Sequence, residues 1–295
     1  MQCAGSARGR KLFMETINYD LDEMHAVQLE ILKKLIAVCE ERKLSYFLAF
    51  GSLLGAVRTH KIIPWDDSID VVMPYEDYCR LTTLPQTVWG TPIFLQTCYT
   101  DPQFPKYYAR LRNSSTTLIE SDFTACDMNH GIYINIIPLI NLADDPEARK
   151  RQMDDAKLYK MMTENAVLPS SKGLLRLYSA FLLSSPVHKK LAKREELKGK
   201  IIRYLGQDVK DCFALAGNVS LSLPLPKSWF AEAEKCQFEG ITVAIPKGWR
   251  EWLTLRYGNY MVTPIAELQG DKIAKFITLN TKRPYTEYKG KSYCV

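Results

Sequence analysis

The sequence predicts a mixed α/β (α+β) fold with an inserted helical region, and three observations support this prediction. In the first half, short apolar runs that end at Gly or Pro alternate with amphipathic helical patterns. From about residue 146 to 206, strand signals are few and Lys- and Glu-rich helix-forming runs replace them. From Trp229 onward the mixed pattern returns. We therefore expect a core at 15–145, a helical region at 146–228 and a C-terminal segment at 229–295 that packs back on the core.

The spacing of apolar residues predicts the elements of the first half. Steps of three and four residues predict a helix from about Asp22 to Lys43. Apolar runs predict short strands at Tyr46–Phe50, Ile62–Met73, Ile93–Cys98, Lys106–Arg112 and Ile132–Ile137. Two short helical stretches are expected at Leu53–Val57 and 75–84.

The second half is predicted more coarsely. Helices are expected at Glu147–Met162 and His188–Leu205, and a strand at Ile241–Ile245. The apolar segment Leu174–Leu183 is flanked by Lys and Arg residues. It fits either a helix that lies on a membrane surface or a core helix of the helical region, and the sequence leaves both open.

Composition is typical of a globular protein, with 46% hydrophobic and 24% charged residues. The net charge of +6 fits an anionic substrate, an acidic membrane surface or a solvated basic face. The eight cysteines form no CxxC pair, so we expect reduced thiols rather than zinc ligands or disulfides. We expect neither a secretory signal nor a membrane-spanning helix, because no apolar run approaches about 20 residues. The chain is therefore expected to be cytoplasmic, with peripheral contact to the inner face of the membrane as an option.

The most informative segment is Gly51–Arg58 followed by Ile63–Val71. In a strand, alternate residues share a face, so Asp66, Ser68 and Asp70 should look into a cleft while Ile69 and Val71 enter the core. Carboxylates two residues apart, about 6.6 Å along a strand, can lean onto one ion. Ser68 interrupts this spacing and leaves Asp66 and Asp70 about 13 Å apart along an extended strand, so they share an ion only if the strand bends. Magnesium takes oxygen ligands of this kind together with substrate phosphates. Asp66, Asp67 and Asp70 are therefore the candidate catalytic acids.

The turn before these acids has the features of a phosphate site. Gly51 allows a phosphate to approach the backbone, and Ser52 and the following amides can donate hydrogen bonds to it. Arg58 and Lys61 are candidate cationic partners. The alternative is an acidic turn at a solvent-exposed edge with no chemical role.

These residues closely resemble the LicD family, which also includes the fukutin-related proteins. The resemblance covers most of the chain, and its motifs lie at 46–58, 63–78, 110–120, 131–139, 238–247 and 257–261. It implies a nucleotidyltransferase-type core, built from a short mixed sheet flanked by helices. It also implies metal-assisted transfer of a phosphorylated small alcohol, such as phosphocholine or ribitol phosphate, from a CDP-linked donor to a glycan or glycolipid. In bacteria such transfer decorates teichoic acid, lipopolysaccharide or capsule.

The resemblance also implies roles for individual residues. Asp70, Asp66, Ser68 and Asn135 fall at the expected metal positions, and Arg110 and Arg112 join the phosphate-binding group. The family usually has aspartate where this chain has Ser68, Asn135 and Asn259. We therefore expect magnesium or manganese to be held weakly, because serine and asparagine supply no charge.

Two alternative functions remain open at this stage. The chain could be a binding or regulatory pseudoenzyme that has lost the metal site. It could also be a template-independent nucleotide transferase, although it lacks the concentrated basic stripe expected for nucleic-acid binding. For the transfer reaction that the resemblance implies, the expected partners are a CDP-linked donor and a glycan or glycolipid acceptor. We expect no nucleic acid as a partner.

Overall fold

The computed structural model describes residues 21–164, 187–216, 223–263 and 275–295. The apolar segment Leu174–Leu183, which the sequence assigned to a core or membrane-surface helix, lies outside these residues. Six helices are present in the described ranges: α1 (Leu21–Arg42), α2 (Phe50–Thr59), α3 (Tyr75–Thr82), α4 (Pro146–Glu164), α5 (Val187–Ile201) and α6 (Trp249–Tyr257). None of these helices is long and apolar enough to cross a membrane.

Eleven strands accompany the helices in the same ranges. They are β1 (Phe47–Leu48), β2 (Ile69–Pro74), β3 (Ile93–Gln96), β4 (Ala109–Asn113), β5 (Thr117–Glu120), β6 (Ile132–Leu142), β7 (Asp211–Ala214), β8 (Leu225–Pro226), β9 (Ala233–Phe238), β10 (Ile241–Pro246) and β11 (Phe276–Asn280). The main sheet has the order β1-β2-β6-β4-β3, and β7 continues from β6 to β8. Two antiparallel pairs, β5–β11 and β9–β10, complete the described strands. The mixed α/β prediction is confirmed.

Strand β6 organises the main sheet because three strands pair with it. It runs parallel to β2 and antiparallel to β4 and β7. Ten of the eleven residues of β6 are buried and Asn141 is partly exposed, as expected for a strand covered on both faces. Helix α1 packs against β2, β4 and β6, where the larger apolar core lies. A second apolar cluster forms where α4 and α5 meet the far end of β6 and β7.

The strand predicted at Ile62–Met73 was wrong in its first half. Strand β2 begins only at Ile69, because the chain turns at Pro64 and Trp65 before it reaches the sheet. The alternation of side chains assumed for Asp66 and Ser68 therefore does not hold. Both residues lie in the loop that leads into β2.

The predicted helical region at 146–228 contains α4 and α5 and also two short strands. Residues 211–214 and 225–226 form β7 and β8, which join the main sheet. This region is therefore connected to the core by backbone hydrogen bonds. The division of the chain into three parts remains a prediction. The seven cysteines among the described residues form no disulfide with one another.

Two helical glycines lead to opposite stability predictions. A methyl group at Gly55 would lie 2.3 Å from the backbone oxygen of Lys61, whereas one at Gly199 would meet no described atom within 4 Å. We expect Gly55→Ala to lower the free energy of unfolding by about 1–3 kcal/mol through this clash. Gly199→Ala should raise it by up to about 1 kcal/mol through helix propensity. Urea unfolding followed by circular dichroism measures both, and a stabilised Gly55→Ala would contradict the packing described for α2.

Candidate functional site

A cleft of about 380 Å³ opens beside the middle of the main sheet. Its walls come from the end of the loop before β2, from β4, β5 and β6, and from α6 and Lys275. The polar and charged side chains that line it are Asp67, Ser68, Asp70, Lys106, Tyr108, Arg110, Glu120, Asp122, Tyr133, Asn135, Arg256, Tyr257 and Lys275. The cleft thus collects residues from distant parts of the sequence on one surface.

Three polar residues form a row across neighbouring strands at the base of the cleft. Asp70 on β2 is in register with Asn135 on β6, and Asn135 is in register with Arg110 on β4. The Asn135 amide donates from Nδ2 to Asp70 Oδ1 at 2.7 Å. The Arg110 Nε donates to Asn135 Oδ1 at 3.1 Å. Strand register therefore produces a continuous hydrogen-bonded line from carboxylate to guanidinium.

The orientation of the Asn135 amide is determined by its two neighbours. A carboxylate can only accept hydrogen bonds and a guanidinium can only donate them. Reversing the amide would place its oxygen against Asp70 and its NH₂ against Arg110, so both contacts would become repulsive. Asn135 therefore presents a donor, and not an oxygen ligand, to Asp70.

Arg110 also forms a buried ion pair with Glu120 on β5. Arg110 Nη1 lies 2.7 Å from Glu120 Oε2, and both side chains are about 95% buried, with 4% and 5% exposure. The guanidinium lies 3.5 Å from the centre of the Tyr133 ring, and the Tyr133 hydroxyl donates to Glu120 Oε1 at 3.1 Å. Burial alone would raise the pKa of Glu120, but the Arg110 and Lys275 charges lower it to about 2. Glu120 is therefore ionised at neutral pH.

Lys275 connects this ion pair to the loop before β2. Its ammonium lies 2.5 Å from Asp67 Oδ2 and 3.2 Å from Glu120 Oε1. Burial acts to lower the pKa of Lys275, but Tyr133 and the Glu120 and Asp67 carboxylates raise it overall. Lys275 is therefore charged and bridges two acids.

The glycine-serine turn holds Asp66 and Asp70 in place. A methyl group at Gly51 would lie 2.0 Å from Asp66 Oδ2, so the carboxylate can occupy its position only beside a glycine. This places Asp66 at the first turn of α2, where the helix dipole favours a negative charge. The Ser52 hydroxyl oxygen accepts the backbone N–H of Asp70 at 2.9 Å. Ser68 donates to Asp70 Oδ1 at 3.3 Å.

The structure therefore brings together part of the predicted site. Gly51, Asp67, Ser68, Asp70, Arg110 and Asn135 line the cleft. Ser52 and Asp66 lie just behind this surface and are almost fully buried. Their predicted roles in metal or phosphate binding stay predictions, and the contacts found for them position Asp70 and α2.

Three predicted phosphate-binding cations lie away from the cleft lining. Arg58 bonds to Thr263, and Lys61 is exposed on the loop after α2. Arg112 is fully buried and donates to the Gln96 side chain and the Gly131 carbonyl. Burial, together with the charge of Arg110, lowers the pKa of Arg112. Arg112 thus acts as a structural donor in this arrangement.

Sequence reasoning missed Lys275, Lys106, Tyr133 and the role of Glu120. Glu120 lay within a family motif, but nothing local marked it as the partner of Arg110. Lys275 follows no recognisable signal, because its contacts with Asp67 and Glu120 arise only when β11 pairs with β5. Many strands end in an acidic residue, and many are preceded by a lysine. The sequence alone therefore does not predict that these particular residues meet.

The donor set around Asp70 suits a divalent cation poorly. Asp70 Oδ1 accepts from Asn135 and Ser68, Asn135 Oδ1 accepts from Arg110, and Asp67 pairs with Lys275. Across the described ranges, no group of three or more His, Cys, Asp or Glu residues is placed to share an ion. Binding of magnesium or manganese stays a prediction.

Comparison with known proteins points to one family. The model described as LicD/FKTN/FKRP, nucleotidyltransferase domain, matches residues 43–169. The lipopolysaccharide cholinephosphotransferase LicD of Haemophilus influenzae is 29% identical over 260 residues, which cover 84% of this chain and 94% of that protein. The matched domain contains Asp70, Asn135, Arg110 and Glu120, whereas Lys275 lies beyond it.

The buried ion pair leads to a prediction on acid stability. The pKa of Glu120 is lowered in the folded protein from 4.5 to about 2, so its contribution is complete above pH 4.5 and disappears as the pH falls towards 2. Glu120→Gln should cost about 3–5 kcal/mol at pH 7, because Arg110 is left without its buried partner. The variant should also lose less stability than the original protein between pH 4.5 and 2.

Urea unfolding at several pH values measures both effects. Glu164→Gln is the matched control, since Glu164 pairs with Lys106 at 3.2 Å in a more exposed setting. It should cost at most about 1 kcal/mol. Equal losses in the two variants would contradict the importance assigned to the Arg110–Glu120 pair.

Proposed function

We propose, from the premise that residues 43–169 form a domain of the LicD family, that this chain is a transferase for a phosphorylated small alcohol of the phosphocholine type. The donor would be CDP-linked, and the acceptor would be a hydroxyl of a glycan or glycolipid. The observation that carries this proposal is the Asp70–Asn135–Arg110 row, which lies in the cleft and inside the matched domain.

The cleft has side chains suited to each part of such a reaction. Arg110, Lys275 and Lys106 supply positive charge for the phosphates of the donor. Tyr108, Phe123, Trp252 and Tyr257 supply aromatic faces, which attract quaternary ammonium groups such as choline.

The proposed reaction is a substitution at phosphorus. The acceptor oxygen forms a bond to the phosphorus that carries the small alcohol, and the bond to cytidine monophosphate breaks. The hydroxyl proton passes to Asp70, whose carboxylate is oriented by Ser68 and Asn135 and whose backbone N–H is held by Ser52. The cations listed above stabilise the charge on the transferring phosphoryl group.

A second candidate function is that of a binding or regulatory protein. It is favoured by the same hydrogen bonds, because the Ser68 hydroxyl and the Asn135 amide already donate to Asp70 Oδ1. Such a protein would bind the CDP-linked donor and not turn it over. Action at the inner face of a membrane remains a prediction under either function.

Release of cytidine monophosphate from CDP-choline in the presence of a glycan or glycolipid acceptor tests the transferase. We expect Asp70→Asn to lower kcat at least about 100-fold, the usual contribution of a general base. Asp154→Asn is the control, since Asp154 is half exposed on α4 and pairs only with Lys157 among its described salt bridges. Equal activity of the two variants would contradict the role of Asp70 as the proton acceptor.

The double variant Ser68→Asp, Asn135→Asp separates the two candidate functions. A pseudoenzyme should gain turnover strongly, because two carboxylates are restored beside Asp70. A transferase adapted to the present residues should gain nothing, and the new acids should disturb Arg110. The measurement is the same release of cytidine monophosphate, made with and without magnesium.

A further inference from the structure

The charges that line the cleft are balanced. Four carboxylates lie in its described lining, namely Asp67, Asp70, Glu120 and Asp122, together with four cations, namely Lys106, Arg110, Arg256 and Lys275. A cation is attracted most strongly to a site whose carboxylates outnumber its positive side chains. The described lining has no such excess, so its electrostatic attraction for a metal ion is weak.

Two of these acids are already neutralised by close cations. Glu120 contacts Arg110 at 2.7 Å and Lys275 at 3.2 Å, and Asp67 contacts Lys275 at 2.5 Å. If residue 135 were aspartate, its carboxylate would repel that of Asp70, and a cation between them would relieve the repulsion. Asn135 instead donates a hydrogen bond to Asp70. The side chains of Asp70 and Asn135 are therefore joined without a metal ion.

Lys275 is a cleft cation that a ligand can reach and that neighbouring carboxylates hold in place. Its side chain is 36% exposed, whereas that of Arg110 is 4% exposed. A lysine ammonium has three N–H donors, and Asp67 and Glu120 account for two contacts. A phosphate in the cleft can therefore contact Lys275 while the ion pair with Glu120 keeps the lysine in place.

We propose that the cleft binds the phosphates of its substrate with the chain's own cations, Lys275 foremost, and that this binding requires no divalent metal ion. The identity of the donor rests on the proposed function, but the phosphate site does not. Lys275 is thereby assigned as a substrate-binding residue that lies outside the matched family domain.

Calorimetric titration with CDP-choline and with inorganic diphosphate, each in EDTA and in magnesium, tests this proposal. We expect both ligands to bind in EDTA, with dissociation constants within about threefold of those in magnesium, a difference of under 1 kcal/mol. Lys275→Met should weaken binding about tenfold or more, the effect of losing one charge-assisted hydrogen bond. Lys275→Arg should retain part of the affinity.

Lys282→Met is the matched control, because Lys282 is 80% exposed and pairs with Glu23 away from the cleft lining. It should bind both ligands like the original protein. Thermal unfolding of each variant shows whether the fold is kept, and Lys275→Arg preserves the test if Lys275→Met does not fold. Binding that appears only in magnesium, or an unaltered affinity in Lys275→Met, would overturn the proposal.

The outcomes also separate this proposal from the proposed function. Diphosphate binding in EDTA without release of cytidine monophosphate would support the phosphate site and contradict the proposed transferase activity. Release of cytidine monophosphate, together with binding that appears only in magnesium, would do the reverse. No binding of either ligand in either buffer would overturn the phosphate site itself.

A second measurement addresses Asn135 directly. Asn135→Asp places a carboxylate next to Asp70, so magnesium should raise the Tm of this variant and leave that of the original protein unchanged. A clear rise in the Tm of the original protein with magnesium would contradict the proposal.

Discussion

The buried Arg110–Glu120 ion pair is the constraint on which the rest of the site depends. Two charges taken out of water are costly unless geometry and further hydrogen bonds compensate them. Here the Tyr133 ring covers the guanidinium, the Tyr133 hydroxyl and Lys275 reach the carboxylate, and Asn135 accepts from Arg110 Nε. These contacts join β4, β5, β6 and the start of β11, so the cleft keeps its shape only while the four strands stay in register.

Much of the fold could be predicted because burial leaves a clear pattern in sequence. The apolar runs at β2 and β6 and the helical spacing of α1 were recognised, since each element buries one surface regularly. The error at Ile62–Met73 has a physical cause. Alternation of side chains holds only in extended backbone, and Pro64 starts a turn there. Asp66 consequently faces Gly51 at the start of α2 rather than the cleft row.

The site was harder to predict because strand pairing, and not sequence spacing, assembles it. Asp70 and Asn135 could be selected from motifs, but only the parallel register of β2 and β6 makes them neighbours. Arg58, Lys61 and Arg112 looked equivalent to Arg110 in the sequence. In the structure they differ in position and in hydrogen-bond partners. Arg112 donates to Gln96 and to Gly131, whereas Arg110 faces the cleft. Lys275 could not be predicted, because its partners lie in remote segments.

Asparagine in place of aspartate at 135 changes the charge of the site and hardly changes its shape. The two side chains are nearly isosteric, so β6 can keep its packing while Asp70 gains a donor instead of a second negative charge. The described lining of the cleft then carries as many cations as carboxylates before any ligand enters. An incoming phosphate contacts Lys275 while Asp67 and Glu120 keep the lysine in place, and a dianion is attracted to the ammonium more strongly than a singly charged anion is. In the proposed phosphate site, this balance of charge leaves little attraction for a metal ion, while Lys275 supplies a donor to phosphate.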